Sequence, residues 1–80
     1  MMTLRVLLFA SYADVLGADA IDVELAEGSR VRDLLHVVRD RAPGALPPAP
    51  LIAVNSEYAT LDQPITGGDE VAIIPPVAGG

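Results

Sequence analysis

One segment of the chain has the apolar spacing of an amphipathic helix, and this helix limits the folds that the remaining residues can adopt. Between residues 29 and 41, apolar side chains recur at intervals of three and four: Val31, Leu34, Leu35 and Val38. We expect Ser29 to cap this helix, which ends near Arg41. A single helix of about three turns covers one face of a small sheet. The chain is therefore predicted to form a two-layer α+β domain.

Strand patterns lie on both sides of the predicted helix. Residues 4–10 form an apolar run, residues 20–25 alternate apolar and acidic side chains, and shorter runs follow at 51–54, 58–60 and 70–74. Residues 11–18 are expected to connect the first two strands with one helical turn. This order predicts a β-grasp (ubiquitin-like) fold: a mixed sheet of four to five strands, one main helix on one face, and parallel first and last strands. The domain would occupy residues 1–74, and residues 75–80 would form an extended tail.

Composition narrows the class of protein. With 80 residues, 51% of them hydrophobic, the chain can form one small domain, and the absence of cysteine excludes disulfides and thiolate metal sites. This composition fits a cytoplasmic protein. A net charge of −6 argues against nucleic acid as a partner, and we expect no membrane partner because no apolar run is long enough to cross a bilayer. All five cationic residues are arginines, so copies of this chain cannot be joined through lysine.

The side chains offer little for catalysis. His36 is the one histidine and falls within the predicted helix, so no metal site is expected around it. The serines lack a local histidine or a nucleophile-elbow context, and Gly67 and Gly68 lack the lysine of a phosphate-binding loop. We therefore expect no catalytic side chain and no bound cofactor in this chain.

The C-terminal residues carry the chemistry that the side chains lack. They are Pro75, Pro76, Val77, Ala78, Gly79 and Gly80. The two prolines favour an extended exit from the domain, and paired glycines pass through a channel too narrow for other residues. The Gly80 carboxylate is then the reactive group. A partner could activate it with ATP as an acyl-adenylate, and a sulfur donor could convert it to a thiocarboxylate that acts as a nucleophile.

Several segments resemble the small subunit of molybdopterin synthase, a family of ubiquitin-like sulfur carriers. They are residues 6–10, Leu16-Gly17, residues 53–55, residues 68–72 and the ending 75–80. The resemblance implies that an activating enzyme adenylates Gly80 with ATP, that a sulfur donor system supplies the sulfur, and that the tail enters a large synthase subunit, within a heterotetramer. There Gly80 would donate sulfur to a cyclic pyranopterin precursor in molybdenum cofactor biosynthesis. Catalytic side chains would come from the large subunit.

Strand alternation also predicts a docking surface. If the helix covers Leu4, Val6 and Leu8, then Leu7, Phe9 and Ile74 lie on the opposite face, where no second helix is available to cover them. We expect these three residues to form a partner interface at the root of the tail. A thin second core beneath the proline-rich residues 42–50 is the alternative.

Other functions share the same features. Sulfur carriers for thiamine, cysteine or tRNA thiolation have the fold and the diglycine, and a ubiquitin-like modifier would be joined through Gly80 to target lysines. A plain interaction module with an inert tail is a third alternative.

Overall fold

The structure is a computed structural model, and it describes residues 1–9, 11–44, 46 and 50–75. These residues contain two helices and five strands. In chain order they are β1 (Met2–Leu8), α1 (Ser11–Leu16), β2 (Ala20–Leu25), α2 (Val31–Arg41), β3 (Leu51–Val54), β4 (Glu57–Tyr58) and β5 (Glu70–Ile74). Neither described helix is long and apolar enough to cross a bilayer.

The five strands form one mixed sheet in the order β2-β1-β5-β3-β4. Strand β1 pairs antiparallel with β2 and parallel with β5, so the first and last strands are central neighbours. Strand β5 pairs antiparallel with β3, which forms a short hairpin with β4. The predicted β-grasp arrangement is confirmed, including the parallel pairing of the first and last strands.

The core lies between α2 and one face of the sheet. The helical stripe is buried as predicted, with Leu35 only 2% exposed. The inward strand residues alternate with outward ones, because successive side chains of a strand point to opposite faces. The buried members of β1 and β5 that belong to this core are Met2, Leu4, Val6, Leu8, Val71 and Ile73.

The start of α2 differs from the prediction. Its N-cap is Arg30 rather than Ser29, and the Asp33 carboxylate accepts the backbone N–H of Arg30 at 2.8 Å. The next two amides, of Val31 and Arg32, donate to the carbonyl oxygens of Gln63 and Leu61, each at 3.0 Å. These acceptors lie about thirty residues away in sequence, so a local capping pattern could not identify them.

Two strands also have different bounds. Strand β1 begins at Met2 and ends at Leu8, whereas residues 4–10 were predicted, because its ladder with β2 continues to the Met2–Leu25 pair. Strand β4 contains only Glu57 and Tyr58, whereas residues 58–60 were predicted. Residues 11–18 contain a six-residue helix, α1, that exceeds the single turn expected.

Candidate docking site on the open face of the sheet

The face of the sheet opposite α2 carries a groove of about 480 Å³. Its lining includes Leu7, Phe9, Ala72 and Ile74, from β1, β5 and the residue after β1. Phe9 is 45% exposed, and Leu7 and Ile74 are half-buried. The structure therefore brings together the three residues predicted to share one apolar surface, and we call this concavity the open-face groove.

Strand register explains why a groove forms here. Across the sheet, Leu7 pairs with Ala72, Ala72 pairs with Ala53, and Ala53 pairs with Tyr58. This row places two small side chains between two large ones. The alanines form the floor, and Leu7 and Tyr58 form the walls. Sequence reasoning identified the Leu7 wall but missed Tyr58, because only the long-range register of β3 and β4 brings Tyr58 opposite it.

The two ends of the open-face groove differ in chemistry. Phe9 and Ile74 lie at one end, where the chain continues into Pro75. Ser56 and Glu70 lie at the other, where β5 begins. The predicted tail residues Pro76, Val77, Ala78, Gly79 and Gly80 lie outside the described residues. The apolar end is therefore the end from which the tail starts.

The β3–β4 turn at the polar end has an unusual backbone. Asn55 and Ser56 both have positive φ angles, 51° and 71°. A two-residue hairpin loop of this kind matches the twist of the flanking strands, and asparagine tolerates the conformation well. Serine is less usual there, so the fold holds Ser56 in a strained conformation beside the groove.

Hydrogen bonds fix this turn to the beginning of β5. The Asn55 amide donates from Nδ2 to Oδ1 of Asp69 at 3.0 Å, and its Oδ1 accepts the backbone N–H of Glu70 at 3.0 Å. The Asn55 backbone N–H donates to the carbonyl oxygen of Glu70 at 2.8 Å. Asn55 therefore joins two elements that both line the groove.

Asp69 completes the network. Its Oδ2 accepts the backbone N–H of Thr66 at 2.8 Å and the Thr66 hydroxyl at 3.2 Å. The hydrogen bond from the Thr66 backbone and then the one from the Asn55 side chain hold the pKa of Asp69 below its usual range, because both favour the ionised carboxylate. The turn at residues 66–69 is thus held by its own aspartate.

Titratable side chains outside the Asn55–Asp69 network include Tyr12 and His36. Burial raises the pKa of the Tyr12 hydroxyl on α1. His36 is exposed on the outer side of α2. Among the described residues, no three histidine, aspartate or glutamate side chains are grouped so that they could hold a metal ion.

Comparison with known proteins extends across nearly the whole chain. The ThiS family matches residues 6–80. The molybdopterin synthase sulfur carrier subunit of Escherichia coli (strain K12) is 38% identical, covering 96% of this chain and 99% of that protein. The subunit of the same name from Dictyostelium discoideum is 40% identical, covering 95% and 94%. The crystal structure of Haloferax volcanii small archaeal modifier protein 1 superimposes with a TM-score of 0.86 at 28% identity, covering 96% and 100%. The chain belongs to the ThiS family.

Proposed function

We propose that this chain is the sulfur carrier subunit of a molybdopterin synthase. The observation that carries the proposal is the similarity to two subunits of that name over nearly the entire chain. The family match also reaches the glycine pair, Gly79 and Gly80. Gly80 carries the sulfur as a C-terminal thiocarboxylate.

Formation of the thiocarboxylate requires an activating enzyme. A carboxylate is a poor electrophile, so an oxygen of Gly80 attacks the α-phosphorus of ATP, which expels pyrophosphate and leaves an acyl-adenylate. A hydrosulfide-equivalent donor then attacks the carbonyl carbon and expels AMP. The product is a terminal C(O)S⁻ group. Because the sulfur is held on the main chain, the lack of cysteine in this sequence is no obstacle.

Transfer then takes place in the large subunit. The terminal sulfur is the nucleophile that the large subunit orients against a cyclic pyranopterin precursor. Each new carbon–sulfur bond replaces a carbon–oxygen bond of the precursor, whose oxygen substituent leaves. Water then hydrolyses the acyl group, which leaves the sulfur on the precursor and returns Gly80 to a carboxylate. Two such donations supply the two sulfurs of the dithiolene. The chain acts as a subunit and sulfur co-substrate, and ATP is bound by the activating enzyme.

The large subunit docks at the open-face groove, and this brings the tail to the active site of the large subunit. Exposed Phe9 and half-buried Ile74 form an apolar surface at the end of the groove from which the tail starts, and half-buried Leu7 extends it along one wall. Exposed apolar surfaces of this kind usually mark partner sites. Six extended residues reach at most about 20 Å, so the tail enters the partner while the domain stays outside. The assembly is proposed to be a heterotetramer, and the location is proposed to be cytoplasmic.

The proposal is tested by the intact mass of the chain after incubation with the activating enzyme of the same organism, ATP and a sulfide donor. We expect the mass increase of one oxygen-to-sulfur exchange, localised to Gly80 by fragmentation. A variant with one residue added after Gly80 serves as the control and should remain unmodified. Normal thiocarboxylate formation on the extended variant would contradict the proposal.

A protein modifier is the second candidate, favoured by the structural similarity to small archaeal modifier protein 1. In that case the activated Gly80 would form an isopeptide bond with a lysine of a target protein. Since this chain contains no lysine, its adducts could not be extended into lysine-linked chains of itself. Mass spectrometry of cell extracts for peptides branched with Gly79-Gly80 would reveal such adducts.

A further inference from the structure

The polar end of the open-face groove has a specific chemical character. Of the described residues that line the groove, Glu70 alone carries a formal charge. Ser56 contributes a hydroxyl at the same end, and Tyr58 contributes an aromatic side chain. A carboxylate, a hydroxyl and a ring are the groups that bind an arginine or lysine side chain, through an ion pair, a hydrogen bond and a cation–π contact.

The backbone of Glu70 is held firmly in place. Its N–H donates to the Asn55 side chain and its carbonyl oxygen accepts the Asn55 N–H, at 3.0 and 2.8 Å. The same asparagine precedes Ser56 in the hairpin turn. The carboxylate and the hydroxyl are therefore attached to one rigid unit, which lowers the conformational cost of binding a cation between them.

The Glu70 carboxylate is exposed and available. Arg5 lies opposite Glu70 on β1, but no ion pair joins them in the described structure. Arg5 also lies opposite Asp22 on β2, so one guanidinium faces two carboxylates. It does not line the groove. A cation from outside the chain can therefore be bound at this end.

The groove also sets the distance between the cationic and the apolar side chain of a segment bound in it. Glu70, Ala72 and Ile74 point to the same face along β5. At about 3.3 Å per residue, Glu70 and Ile74 are roughly 13 Å apart. Between them lies the floor of Ala72 and Ala53, which leaves room for the backbone of a bound segment.

We propose that the open-face groove binds a segment of the large subunit that presents an arginine or lysine side chain near a bulky apolar one. The cation binds at Glu70, Ser56 and Tyr58, and the apolar side chain packs against Phe9 and Ile74. This inference rests on the proposed function for the identity of the partner. The inference adds that Glu70 contributes to the specificity of binding the large subunit, in addition to its contribution to the net charge of the chain.

The test compares two variants that lose the same charge from the same face. Glu70→Gln removes the proposed cation site. Glu24→Gln removes an exposed carboxylate of β2 that points to the open face but lies outside the groove. Affinity for the purified large subunit is measured by calorimetry at low and high salt. We expect Glu70→Gln to weaken binding about tenfold and Glu24→Gln less than about twofold, because a charge-assisted hydrogen bond contributes more than a peripheral charge.

Further measurements separate the possible outcomes. Glu70→Asp keeps the charge and should recover most of the affinity, and circular dichroism should show all variants folded. Equal effects of Glu70→Gln and Glu24→Gln, or no effect of either, would overturn the cation site while leaving the proposed function intact. If the wild-type chain does not bind the large subunit at all, the proposed partner itself is wrong, and this inference fails with it.

Discussion

At the scale of single residues, Asn55 and Asp69 determine the shape of the polar end of the groove. Asn55 adopts a positive φ that few residues tolerate, and its side chain bonds both Asp69 and the backbone of Glu70. Asp69 in turn holds the Thr66 turn. The position of Ser56, Tyr58 and Glu70 around the groove therefore depends on two polar side chains that do not line it.

Asp69 should make the stability of the domain depend on pH. Its hydrogen bonds lower its pKa in the folded state from an ordinary value of 3.8. The stabilisation is therefore fully present above that value and is lost as the pH falls through the lower folded pKa. Asp69→Asn should lower the melting temperature at neutral pH, and the difference from wild type should shrink in acid. Asp40→Asn, on the outer side of α2, controls for the change in net charge. A constant difference between Asp69→Asn and wild type across the acid range would contradict this.

At the scale of elements, α2 holds the sheet together from one side only. Its four buried residues, Val31, Leu34, Leu35 and Val38, contact the core that also contains β1 and β5. This is what the three-and-four spacing predicts for a helix on one face of a sheet. The opposite face is consequently left to the open-face groove.

Leu35→Ala tests the role of α2. Because Leu35 is 2% exposed, its truncation should lower the free energy of unfolding by about 2–5 kcal/mol. That is a large part of the total free energy of unfolding of so small a domain. His36→Ala, at the adjacent exposed position, should change it by less than about 0.5 kcal/mol. Urea denaturation of both variants provides the measurement. A Leu35→Ala protein as stable as wild type would show that Leu35 does not pack in the core between α2 and the sheet.

The elements also show what sequence reasoning can and cannot reach. Strands β2, β3 and β5 were predicted with the bounds that the structure has, because alternation and apolar runs are local signals. Leu7, Phe9 and Ile74 were placed together for the same reason. The wall at Tyr58, the polar end at Glu70 and the N-cap at Arg30 depend on pairings between distant segments. Local pattern contains no information about those registers.

The open face is tested by charged substitutions. Phe9→Asp and Ile74→Asp place a carboxylate on the apolar end of the groove and should weaken binding of the large subunit more than about tenfold, with circular dichroism unchanged. Val15→Asp, on α1, is a matched control, since Val15 is 59% exposed and outside the groove. Unfolding of both variants would instead favour a second core on this face. Unchanged affinity in folded variants would exclude the surface as the interface.

At the scale of the whole molecule, charge is divided unequally between α2 with its N-cap residue and the remainder of the chain. Residues 30–41 contain four of the five arginines and two of the eleven acidic residues, so this segment has a net charge of +2 and the rest has −8. The acidic remainder includes Glu70, Asp22 and Glu24 on the open face. A field of this kind steers a basic partner surface toward the open face.

This division predicts a kinetic effect of salt. The association rate constant with the large subunit should fall as sodium chloride is raised, since a Debye length of about 8 Å at physiological ionic strength shortens further. The dissociation rate constant should change less. Stopped-flow measurements at several salt concentrations provide the check, and an association rate that is independent of salt would exclude electrostatic steering.

The central claim is that Gly80 carries sulfur to the pterin precursor, and it is tested most directly in a single turnover. Chain bearing the thiocarboxylate is mixed with the large subunit and a cyclic pyranopterin precursor, and intact mass is followed together with dithiolene product. We predict that the thiocarboxylate mass returns to the carboxylate mass as product appears, two chains being consumed for each dithiolene. A thiocarboxylate that persists unchanged, without product, in the presence of an active large subunit would contradict the claim.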